Sequence, residues 1–480
     1  MSARGSTGGS DASRVRDDVG ALVARARAAQ RTIDGCDQAR ADELAVAAAW
    51  AIVEPSRNRA LAELAVRDTG MGDVADKVAK NRRKTMGLLR DLAGIRTAGV
   101  IAEDRERGLV EIARPAGVVA AITPSTNPGA TPANNIVNAL KARNAIVLAP
   151  SPKGASTLAR LIDYVHAELD RIGAPRDLVQ MLPMPVSREH TRELMRQADL
   201  VVATGSQNNV RAAYASGTPA LGVGAGNVAV IVDESADVAD AAAKIARSKT
   251  FDNATSCSSE NSVIALEAVA EPLRSELAKH GGVTLTRDES ARLERAMFPD
   301  GKLAPAFVAQ SAPAIAALAG LGRDACRTAR FLVVDVDAVG PETPFSGEKL
   351  SPVLAFYRAA DFDAAAARAA ELLRYQGAGH SVGLHTRLPG RATGLGLTLP
   401  VCRVIVNQAH CFATGGAYDN ALPFSLSMGC GTWGGNSFSD NLGVRHFMNV
   451  TRVVHPLAPG RVREPTEDEL FGDYRRRYDV

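Results

Sequence analysis

The chain has 480 residues, 46% of them hydrophobic and 23% charged, which supplies apolar material for large cores and excludes bulk disorder. Its 56 basic and 53 acidic residues leave a net charge of only +3, so neither a nucleic-acid partner nor an acidic solvating tail is implied. The longest apolar runs, such as 117–122 and 228–232, are strand-length and far short of the ~20 residues of a membrane span.

Residues 1–13 are rich in Gly and Ser without an apolar stretch, and are expected to form a flexible tail rather than a secretory signal. The six cysteines (Cys36, Cys257, Cys326, Cys402, Cys411 and Cys430) form no CxxC pair, which predicts reduced thiols and a cytoplasmic protein. Over 14–95, Ala, Arg, Asp and Leu recur with helical spacing, which predicts two or three amphipathic helices carrying no chemistry. From Gly108 short apolar runs alternate with helical segments: 117–122, 145–148, 178–182, 200–203 and 228–232 read as strands, with helices over 133–142, 155–169, 188–197, 208–215 and 238–248. A second such series follows, with strands at 262–266, 331–334, 353–357, 382–385 and 404–406. Apolar runs without polar alternation suit strands buried on both faces, so the expected fold is α/β, with two doubly wound parallel domains and a cleft near the join at 233–255. The predicted division is a cofactor-binding domain with its N-terminal helices over 14–250 and a catalytic domain over 251–430. Residues 431–480 are expected to return to the first domain and form an arm and tail.

Three places could hold chemistry. The run 199–211 is a strand, a turn at Gly205 and a helix start at Ser206, where free N–H groups and the helix dipole suit a pyrophosphate. It lacks GxGxxG, and a plain strand–helix turn fits as well. Cys257 lies in a polar, small-residue segment (FDNATSCSSEN, 251–261), unlike a cysteine that packs as a small hydrophobe. By texture it is either an accessible nucleophile or an inert loop cysteine. Asn127, between Pro124 and Pro128 at the carboxyl end of a buried strand, either donates to an oxyanion or forms an Asn–Pro turn. His410-Cys411 near Cys402 and Cys430 fits no zinc spacing, so no metal is expected.

Together these segments resemble, in order, the CoA-acylating aldehyde dehydrogenases, including the aldehyde half of the bifunctional aldehyde–alcohol dehydrogenases. The matching stretches are ITPSTNPGATPANN (122–135), KARNAIVLAPSPKG (141–154), ATGS (203–206), PALGVGAGNVAVIVDESAD (219–237), SKTFDNATSCSSENSV (248–263), GEKLSPVLAFYRA (347–359), GAGHSVGLHT (377–386), VNQ (406–408) and GCGTWGGNSFSDNLG (429–443). The resemblance implies an aldehyde dehydrogenase-like fold with an oligomerisation arm. Cys257 would be the nucleophile, Asn127 with the Cys257 N–H the oxyanion site, and His380 an aid to the CoA thiol. A strand-end histidine satisfied by the backbone is the alternative for His380. The resemblance also puts Thr123, Pro124, Ser151, Gly205, Ser206, Gly222 and Glu348 around an NADP or NAD cofactor, with Glu348 on the nicotinamide ribose.

Two departures from water-using members stand out. Ala220 precedes Leu221-Gly222 where those enzymes carry a glutamate base, and Ala149 stands where a lysine contacts the adenosine ribose. A thioester without a water-activating base waits for a better nucleophile, which implies coenzyme A as co-substrate. The segment 406–416, with His410, Cys411 and Thr414, is similar to members that use sulfoacetaldehyde, and the relationship favours NADP. Acetaldehyde or another short aldehyde is the rival substrate. A hydrolytic aldehyde dehydrogenase and a catalytically silent shell protein are the other classes. Gly108–Arg114 and Arg445–Val454 resemble the arms through which family members form homodimers or homotetramers.

Overall fold

A computed structural model describes residues 7–479. Four helices open the chain: Thr7–Ile33, Gln38–Val53, Pro55–Thr69 and Val74–Leu92. The first begins at Thr7, so the expected flexible tail is helical over 7–13, and its first six residues lie outside the described region. The count exceeds the two or three expected because the periodic stretch is punctuated by side-chain caps. Asp37 accepts from the Arg40 N–H, Glu54 caps a helix that starts on Pro55, and Asp73 accepts from the Asp76 N–H.

Two parallel sheets follow. The first, in spatial order, contains Val179–Met181, Ala145–Ala149, Val118–Ile122, Leu200–Ala203 and Ala220–Gly222. Its central strand, 118–122, is wholly buried, with Ala120 aligned to Val147 on one side and Val201 on the other. The second sheet runs Gly282–Thr284, Phe331–Asp335, Val353–Ala359, Glu260–Leu266, Val228–Val232, Val382–His385 and Val404–Val406. A separate antiparallel sheet pairs Leu109–Pro115 with Gly99–Asp104 on one side and Met448–Val454 on the other.

One boundary differs from the sequence expectation. Val228–Val232 and the helix Val238–Thr250 pack in the second core, so the chain leaves the first sheet at 223–227, not near 233–255, and the first unit does not extend to 250. A parallel strand buried on both faces looks alike in either sheet, so alternation alone could not assign it. After the last strand of the second sheet the chain returns, and Phe424, Phe438, Leu442, Val444 and Phe447 fill the first core.

The carboxyl ends of the first sheet's strands lead into Thr123, Ser151, Thr204 and Val223. Cys257, Glu348 and Gln376 precede strands of the second sheet, and all seven residues line one cavity between the two sheets. Among the described residues no helix is long and apolar enough to cross a membrane.

Candidate active site

The cavity has a volume of about 530 Å³. On its second-sheet side the chain leaves the helix 238–250 through three residues with positive φ, Asp252 (50°), Asn253 (50°) and Ala254 (57°), before reaching Cys257. The connector 223–227 presses against this turn. A Cβ on Gly226 would stand 2.2 Å from the Cys257 carbonyl oxygen, so only glycine fits there.

Cys257 Sγ lies 3.4 Å from His380 Nε2, and His380 Nδ1 lies 2.7 Å from Ser381 Oγ. Burial, with Arg403 and His410 adding, pushes His380 down to about 3, so its imidazole is neutral. Burial, then Glu348 and Cys430, push the Cys257 thiol up to about 12. With Nδ1–H donated to Ser381, the Nε2 lone pair faces the Cys257 S–H. His380 itself is wholly buried behind the cysteine and does not line the cavity.

Asn127 lies across the cavity. Its Oδ1 accepts from Lys80 Nζ at 2.8 Å, which fixes the amide and leaves its NH₂ group as the free donor. Lys80 in turn donates to Asp252 Oδ2 and, at 2.9 Å, to Thr255 Oγ1; Lys77 Nζ reaches the same Asp252 oxygen at 3.1 Å. Burial opposes ionisation of Asp252, but Lys80 and Lys77 outweigh it and hold the carboxyl below its usual range.

At the far end Ser206 Oγ accepts from the Asn209 N–H and caps the helix Gln207–Tyr214, while Gly205 takes φ 147° beside Pro124. Thr123, Pro124, Ser151, Gly205, Ser206 and Glu348 all line the cavity. Ser151 Oγ, Gln207 Nε2 and Glu348 Oε1 are buried without a partner, a set that fits a polar ligand such as a nicotinamide dinucleotide. Glu348 is the only carboxylate on the lining among the described residues. Burial pushes it up to about 8, against the opposing pull of the Gly226 N–H and Lys249.

Gly222 departs from its expected place at the cofactor. It packs under Val210 and Tyr214, its N–H donates to Tyr214 Oη at 2.9 Å, and Gly224 and Gly226 line the cavity instead. The polar edge expected from His410, Cys411 and Thr414 is also different. Only Cys411 lines the cavity; His410 Nδ1 sits 2.9 Å from both Ser258 O and Thr414 Oγ1, bracing the loop after Cys257.

The helix 74–92, expected to carry no chemistry, supplies Lys77, Lys80 and Lys84 to this region, each about 5% exposed or less. Their spacing of three and four residues puts them on one helix face with buried Asn81 and Leu88. A lysine stripe on the face that should be apolar was the sequence signal for them.

Comparison with known proteins follows the same chemistry. Residues 4–289 match the model of the aldehyde dehydrogenase family. The sulfoacetaldehyde dehydrogenase (acylating) of Cupriavidus necator is 64% identical over 95% of this chain and 92% of its own length. An acetylating aldehyde dehydrogenase from Geobacillus thermoglucosidasius superimposes with a TM-score of 0.89 at 36% identity, covering 95% of this chain and 99% of that one. The Rhodopseudomonas palustris propionaldehyde dehydrogenase, solved with bound CoA and an acylated cysteine, gives a TM-score of 0.82 at 25% identity over 91% and 97% of the two chains.

Proposed function

We propose, from the premise that the chain belongs to the aldehyde dehydrogenase family and to its CoA-acylating branch, that it oxidises sulfoacetaldehyde to its CoA thioester through an acyl group on Cys257. The observation that carries the acylating chemistry is the Cys257–His380 contact beside a cavity whose only lining carboxylate, among the described residues, is Glu348.

As Cys257 sulfur adds to the aldehyde carbonyl, its proton passes to His380 Nε2. The Asn127 NH₂, oriented by Lys80, and the Cys257 N–H stabilise the oxyanion of the thiohemiacetal. A bound nicotinamide dinucleotide supplies the hydride acceptor. Glu348, Ser206, Gly205, Ser151, Thr123 and Pro124 are the residues that would hold it. Loss of hydride from the hemiacetal carbon leaves a thioester on Cys257. His380 next releases its proton to solvent; when the CoA thiol attacks the thioester, the thiol proton passes to the neutral His380 and from it to Cys257, which departs as thiolate. Water competes poorly. Ala220 offers no base, and burial biases Glu348 toward its neutral form.

Sulfoacetaldehyde is the preferred substrate in this reading because of the 64% identity to an enzyme bearing that name. A kcat/KM for acetaldehyde equal to that for sulfoacetaldehyde would replace it with a general short-aldehyde enzyme. NADP is the preferred cofactor. The turn 149–154 contains Lys153 and no carboxylate, so a 2′-phosphate there meets no like charge. The six free cysteines support a reducing cytoplasm, and the exposed antiparallel sheet supports a homodimer or homotetramer.

The deciding experiment omits CoA. Enzyme, aldehyde and NADP⁺ are expected to give a burst of reduced cofactor near one per site, then slow turnover that CoA restores. Rapid steady formation of free acid without CoA would overturn the acylating assignment.

A further inference from the structure

The three lysines that the helix Val74–Leu92 sends inward are not equivalent. Lys80 spends its donors on Asn127, Asp252 and Thr255. Lys77 reaches Asp252 and the Thr126 carbonyl. Lys84 lines the cavity and is 5% exposed, yet it meets no carboxylate. Its ammonium donates only to the carbonyl oxygens of Gly415 and, at 3.1 Å, Ser425. An ammonium has three N–H donors, so one is left over.

The surroundings make this isolation sharper. A Cβ on Gly415 would stand 2.5 Å from Lys84 Nζ, so the glycine leaves the room that the ammonium occupies. Burial pushes the Lys84 ammonium well below its usual range, the cations Arg83 and Lys80 add to this, and only the thiols of Cys411 and Cys257 oppose it. Arg83 has its own surplus, since its Nε is buried without a partner while Nη1 donates to the carbonyls of Phe412 and Gly416. A buried cation without a counter-ion is costly to the empty enzyme, and an anionic ligand removes that cost. The cavity therefore offers, on the lining it shares with Asn127 and Cys257, a spare donor whose positive charge an anionic ligand would stabilise.

We infer that Lys84 is the counter-ion for the sulfonate of the substrate, held by the Gly415 and Ser425 carbonyls so that its remaining N–H meets a sulfonate oxygen. This assignment rests on the sulfoacetaldehyde reading above. It makes Lys84 a specificity residue that distinguishes an anionic short aldehyde from an apolar one of similar size.

The test uses the full-length enzyme with CoA and NADP⁺ and reads the ratio of kcat/KM for sulfoacetaldehyde over propionaldehyde. Lys84→Gln removes the charge but keeps N–H donors for the two carbonyls; Lys84→Met removes both. In each variant the ratio is expected to fall about 10²-fold, mainly through the sulfoacetaldehyde KM. Ethanesulfonate is expected to inhibit propionaldehyde oxidation competitively in the wild type and to lose that effect in Lys84→Gln. Lys84→Arg, which keeps the charge, is expected to retain the preference. A proportionate loss on both aldehydes, or an unchanged ratio in a variant that still turns over propionaldehyde, would overturn the assignment. If the wild type itself shows no preference for the sulfonate, the substrate reading fails, whatever the variants do.

Discussion

Cys257 holds its proton at neutral pH in the free enzyme, because burial and the neighbouring Glu348 and Cys430 push the thiol up to about 12. The thiolate fraction, and with it the rate of alkylation, therefore rises with pH across the accessible alkaline range. Iodoacetamide modification of the enzyme without cofactor is expected to be slow at pH 7 and to accelerate about tenfold per pH unit above it, without a plateau below pH 10. A plateau near pH 7–8, followed by mass spectrometry at Cys257, would mean that His380 and the loop already hold a thiolate. Across the cavity, Asn127→Ala is expected to lower kcat by ~10²–10³ if its amide stabilises the oxyanion. A change confined to aldehyde KM would make Asn127 a binding group instead. Lys80 accepts no role in this chemistry beyond holding the Asn127 carbonyl, yet without it the amide has no reason to present nitrogen rather than oxygen.

At the scale of elements, the helix 74–92 and the turn 252–254 are joined through Asp252, which is wholly buried between Lys77 and Lys80 and also accepts from the Asp73 N–H. Asp252→Ala would leave two buried ammonium groups with no carboxylate between them, and is expected to cost about 3–5 kcal/mol, read as a lowered thermal midpoint. The carboxyl is held below its ordinary value, so its contribution is fully present at neutral pH. It is lost only as acid takes the pH down through the folded-state value. This joint was invisible in the sequence, although its parts were not. The helix 188–197 and the strands 382–385 and 404–406 could be read to the residue from periodicity and punctuation. Cys257 and Asn127 stood out by the polarity and proline content of their loops. The lysine face did not, because helical spacing over 14–95 predicts amphipathic helices that carry no chemistry, and the period alone does not say which face is buried. Nor could alternation distinguish the last strand of one sheet from the first of the next, which is why 228–232 was expected on the wrong side of the join.

Among the described residues, the whole molecule presents one conspicuous unpartnered region. The strand Met448–Val454 is mostly exposed along the edge of the antiparallel sheet, and the helix Glu467–Tyr478 beyond it exposes Leu470, Phe471, Tyr474 and Tyr478, each more than half accessible except Phe471 at 50%. An edge strand and an apolar helix face left open together are what a second copy would cover. Ending the chain after Val454 is expected to lower the oligomer size measured by light scattering while leaving the two parallel sheets folded. An unchanged mass would take these residues out of the assembly.

The chain passes between its two parallel sheets twice, outward through 223–227 and back through the segment that follows 406. Both passages line the cavity, the first with Gly224 and Gly226, the second with Cys411, Gly415, Ser425 and Met428. Connecting segments ordinarily absorb changes of length more readily than strands and helices do. Here the order is reversed. An added residue in either passage would displace the floor beneath Cys257 or the carbonyls around Lys84 while both sheets kept their pairing. Relatives that share this chemistry should therefore vary in length at the outer loops and tails, and hold these two connectors to a fixed residue count.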